Sequence, residues 1–387
     1  MSEKKGLTRA KEIYDDRPSR ARELKEEGKK IIGYPCIYAP VELMTALGIV
    51  PYRIFGDMGE PVTEADRALT ATFCPFVRSL FDLSFKGKYD FLDGIVLVHS
   101  CDPQEKTAYC LKSYISYPYV HFLDIPGTIH PESMEYFKGQ LKDLKKTLER
   151  FAGEELTPQK LNKAVELHNK QRALVRELYE LRQPDPPLIS GVETLQVMKA
   201  ETSIPVEEGN ELLTQVISEV KGRKNALEKK AGRLLIWSAT VDNAELMALF
   251  ENVANVVMDD YCGGSKGYGK DVKLTEDLVE GLAQHYLVDF MLSRTFREAV
   301  YGEARKDYMA DLETRFGYLK RYVKEWNVNG VILLLVRSCD PFAMEMPALK
   351  DYLDSLGVPS TYIEHDYTRG ALAPLTTRVE AFLEAIS

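Results

Sequence analysis

At 387 residues, with 45% hydrophobic and 28% charged residues, the chain is long enough for two or three packed domains and too apolar for extended disorder. A net charge of -9 and a pI near 5.4 argue against a general nucleic-acid or anionic-membrane surface, so neither nucleic acid nor membrane is expected as a partner. No apolar run approaches the roughly 20 residues of a membrane span, and the Met1-Ser2-Glu3-Lys4-Lys5 start lacks a signal core; a cytoplasmic location, with the six Cys reduced, is the expectation.

Residues 7–30 are charged and helix-prone and lead into the apolar strand Ile31-Ile32-Gly33-Tyr34. A loop through Cys36 then opens a helix near Val41. A short strand is predicted over 50–55, followed by a polar stretch over 56–66 and a helix-like segment as far as Thr72. Phe73-Cys74-Pro75 interrupts that pattern, because a residue before Pro is pushed out of the α region; a helix beginning at Pro75 would run through Val77, Leu80 and Leu83. Cys74 therefore lies at a helix start. Gly94-Ile95-Val96-Leu97-Val98 reads as a buried parallel strand, and a strand over 119–123 closes an α/β lobe spanning 1–130, preceded by an N-terminal helix.

Residues 131–230 change character, with helical spacing at Leu141, Leu144 and Leu148 and a helix start at Thr157-Pro158. They are predicted to form a helical linker region. A second α/β lobe over 231–387 repeats the first: at an offset of 203, Glu42-Leu43-Met44 falls on Glu245-Leu246-Met247, Ile31-Ile32 on Leu234-Leu235, Val50 on Val253 and Asp57 on Asp260. At an offset of 238, Ser100-Cys101-Asp102-Pro103 falls on Ser338-Cys339-Asp340-Pro341, and Leu111-Lys112 on Leu349-Lys350. Residues 271–317, largely helical in pattern, supply the extra length. The fold class is thus α/β, with two duplicated Rossmann-like parallel-sheet lobes and a helical insert.

Each Ser-Cys-Asp-Pro corner stands directly behind an apolar strand, and Asp followed by Pro suits the N-cap and first position of a helix. A thiol there feels the helix N-terminus, which favours thiolate. Ligands of parallel sheets bind beyond the carboxyl ends of the strands, so facing lobes would bring Cys101 and Cys339 to one cleft with Cys74. Three thiolates there suit a soft metal centre, iron–sulfur above all. A single free Cys is more often packing, and duplication is what lifts these three above it. Cys36 and Cys110 face Ala239 and Ala348 in the repeat and stay outside the set, while Cys262 is undecided. His99 reads as a satisfied buried side chain; His365 could line the cleft or face solvent. The loop Gly263-Gly264-Ser265-Lys266-Gly267 could cradle a phosphate with its backbone N–H groups, on weak evidence.

The segments Gly33-Tyr34-Pro35-Cys36, Pro40-Val41-Glu42-Leu43, Cys74-Pro75-Phe76-Val77-Arg78-Ser79, Ser100-Cys101-Asp102, Asp260-Tyr261-Cys262-Gly263-Gly264 and Thr377-Arg378-Val379-Glu380-Ala381-Phe382 resemble the 2-hydroxyacyl-CoA dehydratase and benzoyl-CoA reductase family, from about residue 30 to the end. The resemblance implies a [4Fe-4S] cluster held by Cys74, Cys101 and Cys339, an acyl-CoA substrate, a homologous second subunit or a second copy, and a separate ATP-hydrolysing iron–sulfur activator. One-electron reduction of a 2-hydroxyacyl thioester to a ketyl lets hydroxide depart; reduction of an aromatic acyl thioester likewise needs a strongly reducing electron. The chain's own lack of a Gly-x-x-x-x-Gly-Lys-Ser/Thr motif is consistent with ATP use on a partner. Glu42 is where relatives place a candidate catalytic acid/base, although its repeat at Glu245 equally suits a structural carboxylate. The related double-cubane proteins imply an alternative, a homodimeric reductase of small molecules with an [8Fe-9S] cluster on six Cys; the segment over 293–297, where that branch carries another Cys, has none. A non-catalytic scaffold with buried Cys is the third reading.

Overall fold

The computed structural model describes residues 5–224, 227–301 and 307–386. Two four-stranded sheets, parallel throughout, organise these residues. The first contains β1 (Ile31–Tyr34), β2 (Val50–Arg53), β3 (Gly94–His99) and β4 (Tyr119–Asp124) in the order β2-β1-β3-β4. The second contains β5 (Arg233–Ser238), β6 (Asn255–Asp260), β7 (Gly330–Val336) and β8 (Ser360–His365) in the order β6-β5-β7-β8. The same strand order in both sheets bears out the α/β class and the two lobes.

Register corrects part of the repeat. Ile31 pairs with Val50 in the first sheet, whereas Leu234 pairs with Val256 in the second. Val50 therefore corresponds to Val256, and its match to Val253, at the end of the helix Ala244–Val253, is a slip. Burial of an apolar residue at the strand start is what both lobes require, and several Val residues nearby satisfy the pattern equally.

Two further local expectations change. Instead of a helix reaching Thr72 there is one 3₁₀ turn, Ala65–Arg67. The Asp82 carboxylate accepts the backbone N–H groups of Thr63, Glu64 and Ala65, at 2.8 Å from Thr63 and 2.9 Å from Ala65, so donors that might begin a helix are spent on a side chain. At the duplicated corners the N-cap residues are Cys101 and Cys339 themselves, neither making a side-chain capping bond, and Asp102 and Asp340 are the first residues of their helices.

Alternate residues of each central strand face different cores, as the pleat demands. Ile95 and Leu97 of β3 join Ile236 of β5 and Ile332 and Leu334 of β7 in one apolar cluster common to both lobes. Val96 and Val98 face the helix Pro131–Ala152, through Phe137, Leu141, Leu144 and Leu148. Leu235, Trp237, Leu333 and Leu335 face the helices Gly191–Glu201 and Val206–Lys221. The helix Pro158–Glu180, roughly 34 Å long at 1.5 Å per residue, places Leu161 and Val165 against the first lobe and Val175 and Leu178 against the second. No helix is long and apolar enough to cross a membrane among the described residues.

The loop after β6 is tied down by Asp259, which accepts from Arg182 Nη1 at 2.7 Å, Tyr179 Oη at 2.8 Å and the Ser265 N–H at 3.0 Å. A Cβ on Gly264 would collide with this carboxylate. Because Arg182 is wholly buried, Asp259→Asn strands its charge, and we expect a loss of about 3–5 kcal/mol of stability, measured by urea unfolding.

Candidate metal centre between the lobes

Residues just beyond the carboxyl ends of β1, β3, β5, β6 and β7 line one cavity of about 90 Å³, several times the space a water molecule needs. Cys36, Cys74, Cys101, Cys262 and Cys339 all reach its wall. Cys74, Cys101 and Cys339 share a device: each is the N-cap residue of a helix with Pro in its first turn, namely Pro75–Phe85, Asp102–Tyr114 and Asp340–Ser355. Pro has no N–H to leave unpaired, and the next N–H groups, those of Val77 and Phe76 for Cys74, Gln104 for Cys101 and Phe342 for Cys339, favour the thiolate electrostatically although no sulfur accepts a capping hydrogen bond.

Burial overrides these donors. It pushes the Cys74 thiol up to about 11 against the pull of Val77 and Phe76. Cys101 is driven further up by burial, with Cys74 adding to it; Cys339 is driven well above the usual thiol range by burial, then by Cys74 and Cys101. Cys262 rises to about 12 through burial and the nearby Cys36, opposed by the charges of Arg53 and Lys266. The helix N-terminus favours thiolate at each of the three sites, and burial outweighs it. A cation on the sulfurs is needed to displace the protons.

Spacing narrows the choice of cation. Ligands of one zinc ion, each about 2.3 Å from it, lie within about 4.6 Å of one another. Among the described residues, the trio of His, Cys, Asp or Glu ligand atoms within 4.8 Å of one another is His99, Asp102 and Glu105, and no three thiols come that close. This spacing therefore does not present three thiols to a single zinc ion. The wall also contains no Asp or Glu among the described residues, but does contain Arg53 and Arg294. Three of its buried polar atoms have no protein partner: Arg53 Nε, Gln104 Oε1 and Thr240 Oγ1. A largely apolar enclosure with five thiols, two arginines and no carboxylate among the described residues fits an anionic metal–sulfur group.

A second cavity, of about 70 Å³, adjoins the first and shares Arg53 and Cys262 with it. Glu201 lines this space, accepting from Tyr268 Oη at 2.7 Å and Gln171 Nε2 at 2.6 Å. Burial raises its carboxyl to about 8, with Tyr268 and Arg53 opposing. Glu42 lines neither cavity. It is fully buried, ion-paired to Arg172 and hydrogen-bonded by Tyr286 Oη at 2.7 Å. Burial opposes its ionisation, but Arg172, aided by His168 and His285, brings it down to about 2.

The remaining residues sort by position. Cys36 and its repeat partner Ala239 both lie on the thiol cavity, so the repeat reports position and not chemistry. Cys110 is half-buried in the common core and away from the cavity wall. His99 bonds Asp124 Oδ1 through Nδ1 at 2.6 Å, and His365 is buried beside Tyr367, held down to about 4 by burial, facing neither cleft nor solvent. Arg53, Gln104, Thr240 and Glu201 carried no sequence signal, since none lies in a repeated or spaced motif.

The family model described as "2-hydroxyglutaryl-CoA dehydratase, D-component" matches residues 36–386. The chain is 27% identical over 370 residues to the beta subunit of the (R)-2-hydroxyglutaryl-CoA dehydratase of Acidaminococcus fermentans, covering 94% of each. It is 25% identical over 390 residues to one of the subunits of the benzoyl-CoA reductase of Thauera aromatica, covering 98% of this chain and 97% of the relative. It is 24% identical over 375 residues to the (R)-phenyllactyl-CoA dehydratase beta subunit of Clostridium sporogenes, covering 94% of each.

Two carboxylates give opposite pH signatures. Glu42, lowered from 4.5 in the folded state, contributes stability above about 4.5 that is lost as pH falls towards 2. Glu42→Gln should cost about 3–5 kcal/mol at neutral pH, and measurably less at acid pH. Glu201, raised from 4.5, keeps a proton that the unfolded chain releases, so wild-type stability should fall between pH 4.5 and 8. Glu201→Gln should flatten that fall by at least about 1 kcal/mol, read from urea midpoints across the range.

Proposed function

Since the chain belongs to the 2-hydroxyglutaryl-CoA dehydratase D-component family, we propose that it is the iron–sulfur subunit of an enzyme acting on an acyl-CoA thioester. The observation that carries this reading is the convergence of Cys74, Cys101 and Cys339, one helix N-cap each and from both lobes, on a cavity without carboxylates among the described residues. These three thiols would hold a [4Fe-4S] cluster, whose chemistry is delivery of one strongly reducing electron to the thioester. The helix N-termini behind Cys74, Cys101 and Cys339 turn their positive ends towards the sulfurs, and the enclosing walls exclude water. Glu201, neutral at pH 7, is placed to keep or give a proton in the adjoining cavity, whereas the deep pairing of Glu42 with Arg172 favours its structural role over acid/base work.

Dehydration of a 2-hydroxyacyl thioester and reduction of an aromatic one both fit this site, in keeping with the names of the relatives. A homologous second subunit, or a second copy of the chain, completes the enzyme. Its electron comes from an ATP-hydrolysing iron–sulfur activator.

One observation favours a second reading. Cys36 and Cys262 share the cavity with the other three, which gives an [8Fe-9S] group five thiols, and Arg294 lines the wall in the segment where a sixth would stand. Iron and sulfide counting on anaerobically prepared protein decides between them: about four irons per chain supports the first reading, about eight the second. Cys74→Ser, Cys101→Ser and Cys339→Ser should each lose most of the cluster absorption and EPR signal. Cys36→Ser and Cys110→Ser should retain it if the count is four. Protein without iron under these conditions would leave only a scaffold role.

A further inference from the structure

Arg53 is a buried cation at the junction of the two cavities. It ends β2 and is 4% exposed, yet no carboxylate pairs with it among the described residues and its Nε has no hydrogen-bond partner. Its guanidinium lies over the rings of Tyr34 and Phe55, 5.6 and 5.2 Å from their centroids, and lines both cavities. Of the nearby buried cations, Arg172 is matched by Glu42 and Lys266 by Asp260 at 2.7 Å, whereas Lys199, over the same Phe55 ring, donates to the Asp242 backbone carbonyl. A lone buried charge costs several kcal/mol, a cost that a counter-charge arriving from outside would remove; the Glu201 carboxyl, whose ionisation Arg53 favours, lines only the adjoining cavity. The thiol cavity is where such a counter-charge would arrive, since its wall has no carboxylate among the described residues and carries one more unpartnered donor, the Thr240 hydroxyl.

We propose that Arg53 is the buried counter-ion of the anionic metal–sulfur group held on these thiols, and that its guanidinium makes that group easier to reduce. This rests on the cluster reading above. Arg53 acts here as a positioning residue: it contributes positive charge and N–H donors beside the sulfurs, and such bonds and charges raise cluster potentials. Thr240 adds a smaller, neutral donor of the same sense.

The test uses the full chain, with and without its cluster, and compares wild type with Arg53→Gln, Arg53→Lys and Thr240→Val. In loaded protein, Arg53→Gln should lower the midpoint potential so that the ratio of reduced to oxidised cluster at the wild-type midpoint drops up to tenfold, equivalent to about 59 mV for one electron. Arg53→Lys should retain most of the wild-type value, and Thr240→Val should shift it less, in the same direction. In iron-free protein the order reverses: Arg53→Gln should melt at or above the wild-type temperature, because it removes an unpaired charge. An unchanged potential in Arg53→Gln with full iron, or a lower melting temperature in its iron-free form, overturns the proposal. Wild-type protein that binds no iron overturns the cluster reading instead. A variant too unstable to load still reports through its iron-free melting temperature.

Discussion

The two sheets share one apolar core, and that shared burial governs the rest of the molecule. One face of β3 and one face each of β5 and β7 pack into the same cluster, so neither lobe can turn away without exposing Ile95, Leu97, Ile236, Ile332 and Leu334 to water. At roughly 25 cal/mol per Å² of apolar surface, that exposure outweighs any single polar contact. The lobes are held with strand ends towards a common enclosure. The long helix Pro158–Glu180, packed on both lobes, secures the same arrangement from the other side.

The enclosure this creates is electrically unusual. Its thiols are driven towards the protonated form by desolvation, while its only charged wall residues among those described are the cations Arg53 and Arg294. Either feature alone would be a cost. Together they are complementary to a bound group that brings metal cations to the sulfurs and carries net negative charge overall. The adjoining cavity extends the logic, because Glu201, desolvated and neutral, can sit near Arg53 without neutralising it.

Much of this was legible in the chain because the features were local or repeated. Strand runs such as Gly94–His99 and Gly330–Val336 are continuous and apolar, and Pro75, Pro103 and Pro341 mark helix starts by covalent geometry. The differences arise where a distant group intervenes. Asp82 captures the N–H groups of 63–65 from seventeen or more residues away and cancels a helix. Register with the neighbouring strand, invisible in a self-alignment, moves the partner of Val50 to Val256. At the duplicated corners, Cys takes the cap position that Asp was expected to hold, which brings the sulfur closer to the helix N-terminus than the motif suggested.

By itself the sequence determined that there are two parallel α/β lobes and that Cys74, Cys101 and Cys339 stand at helix starts, because apolar periodicity, proline and duplication all act within a few neighbouring residues. Only the tertiary structure decided that Cys36 and Cys262 join them, that Glu42 is spent on Arg172, and that Arg53 is left unpaired. Those outcomes depend on which charges and thiols meet across more than a hundred residues of chain, and on how much water is shut out where they do. Desolvation belongs to the assembled fold, and no spacing of residues along the chain encodes it.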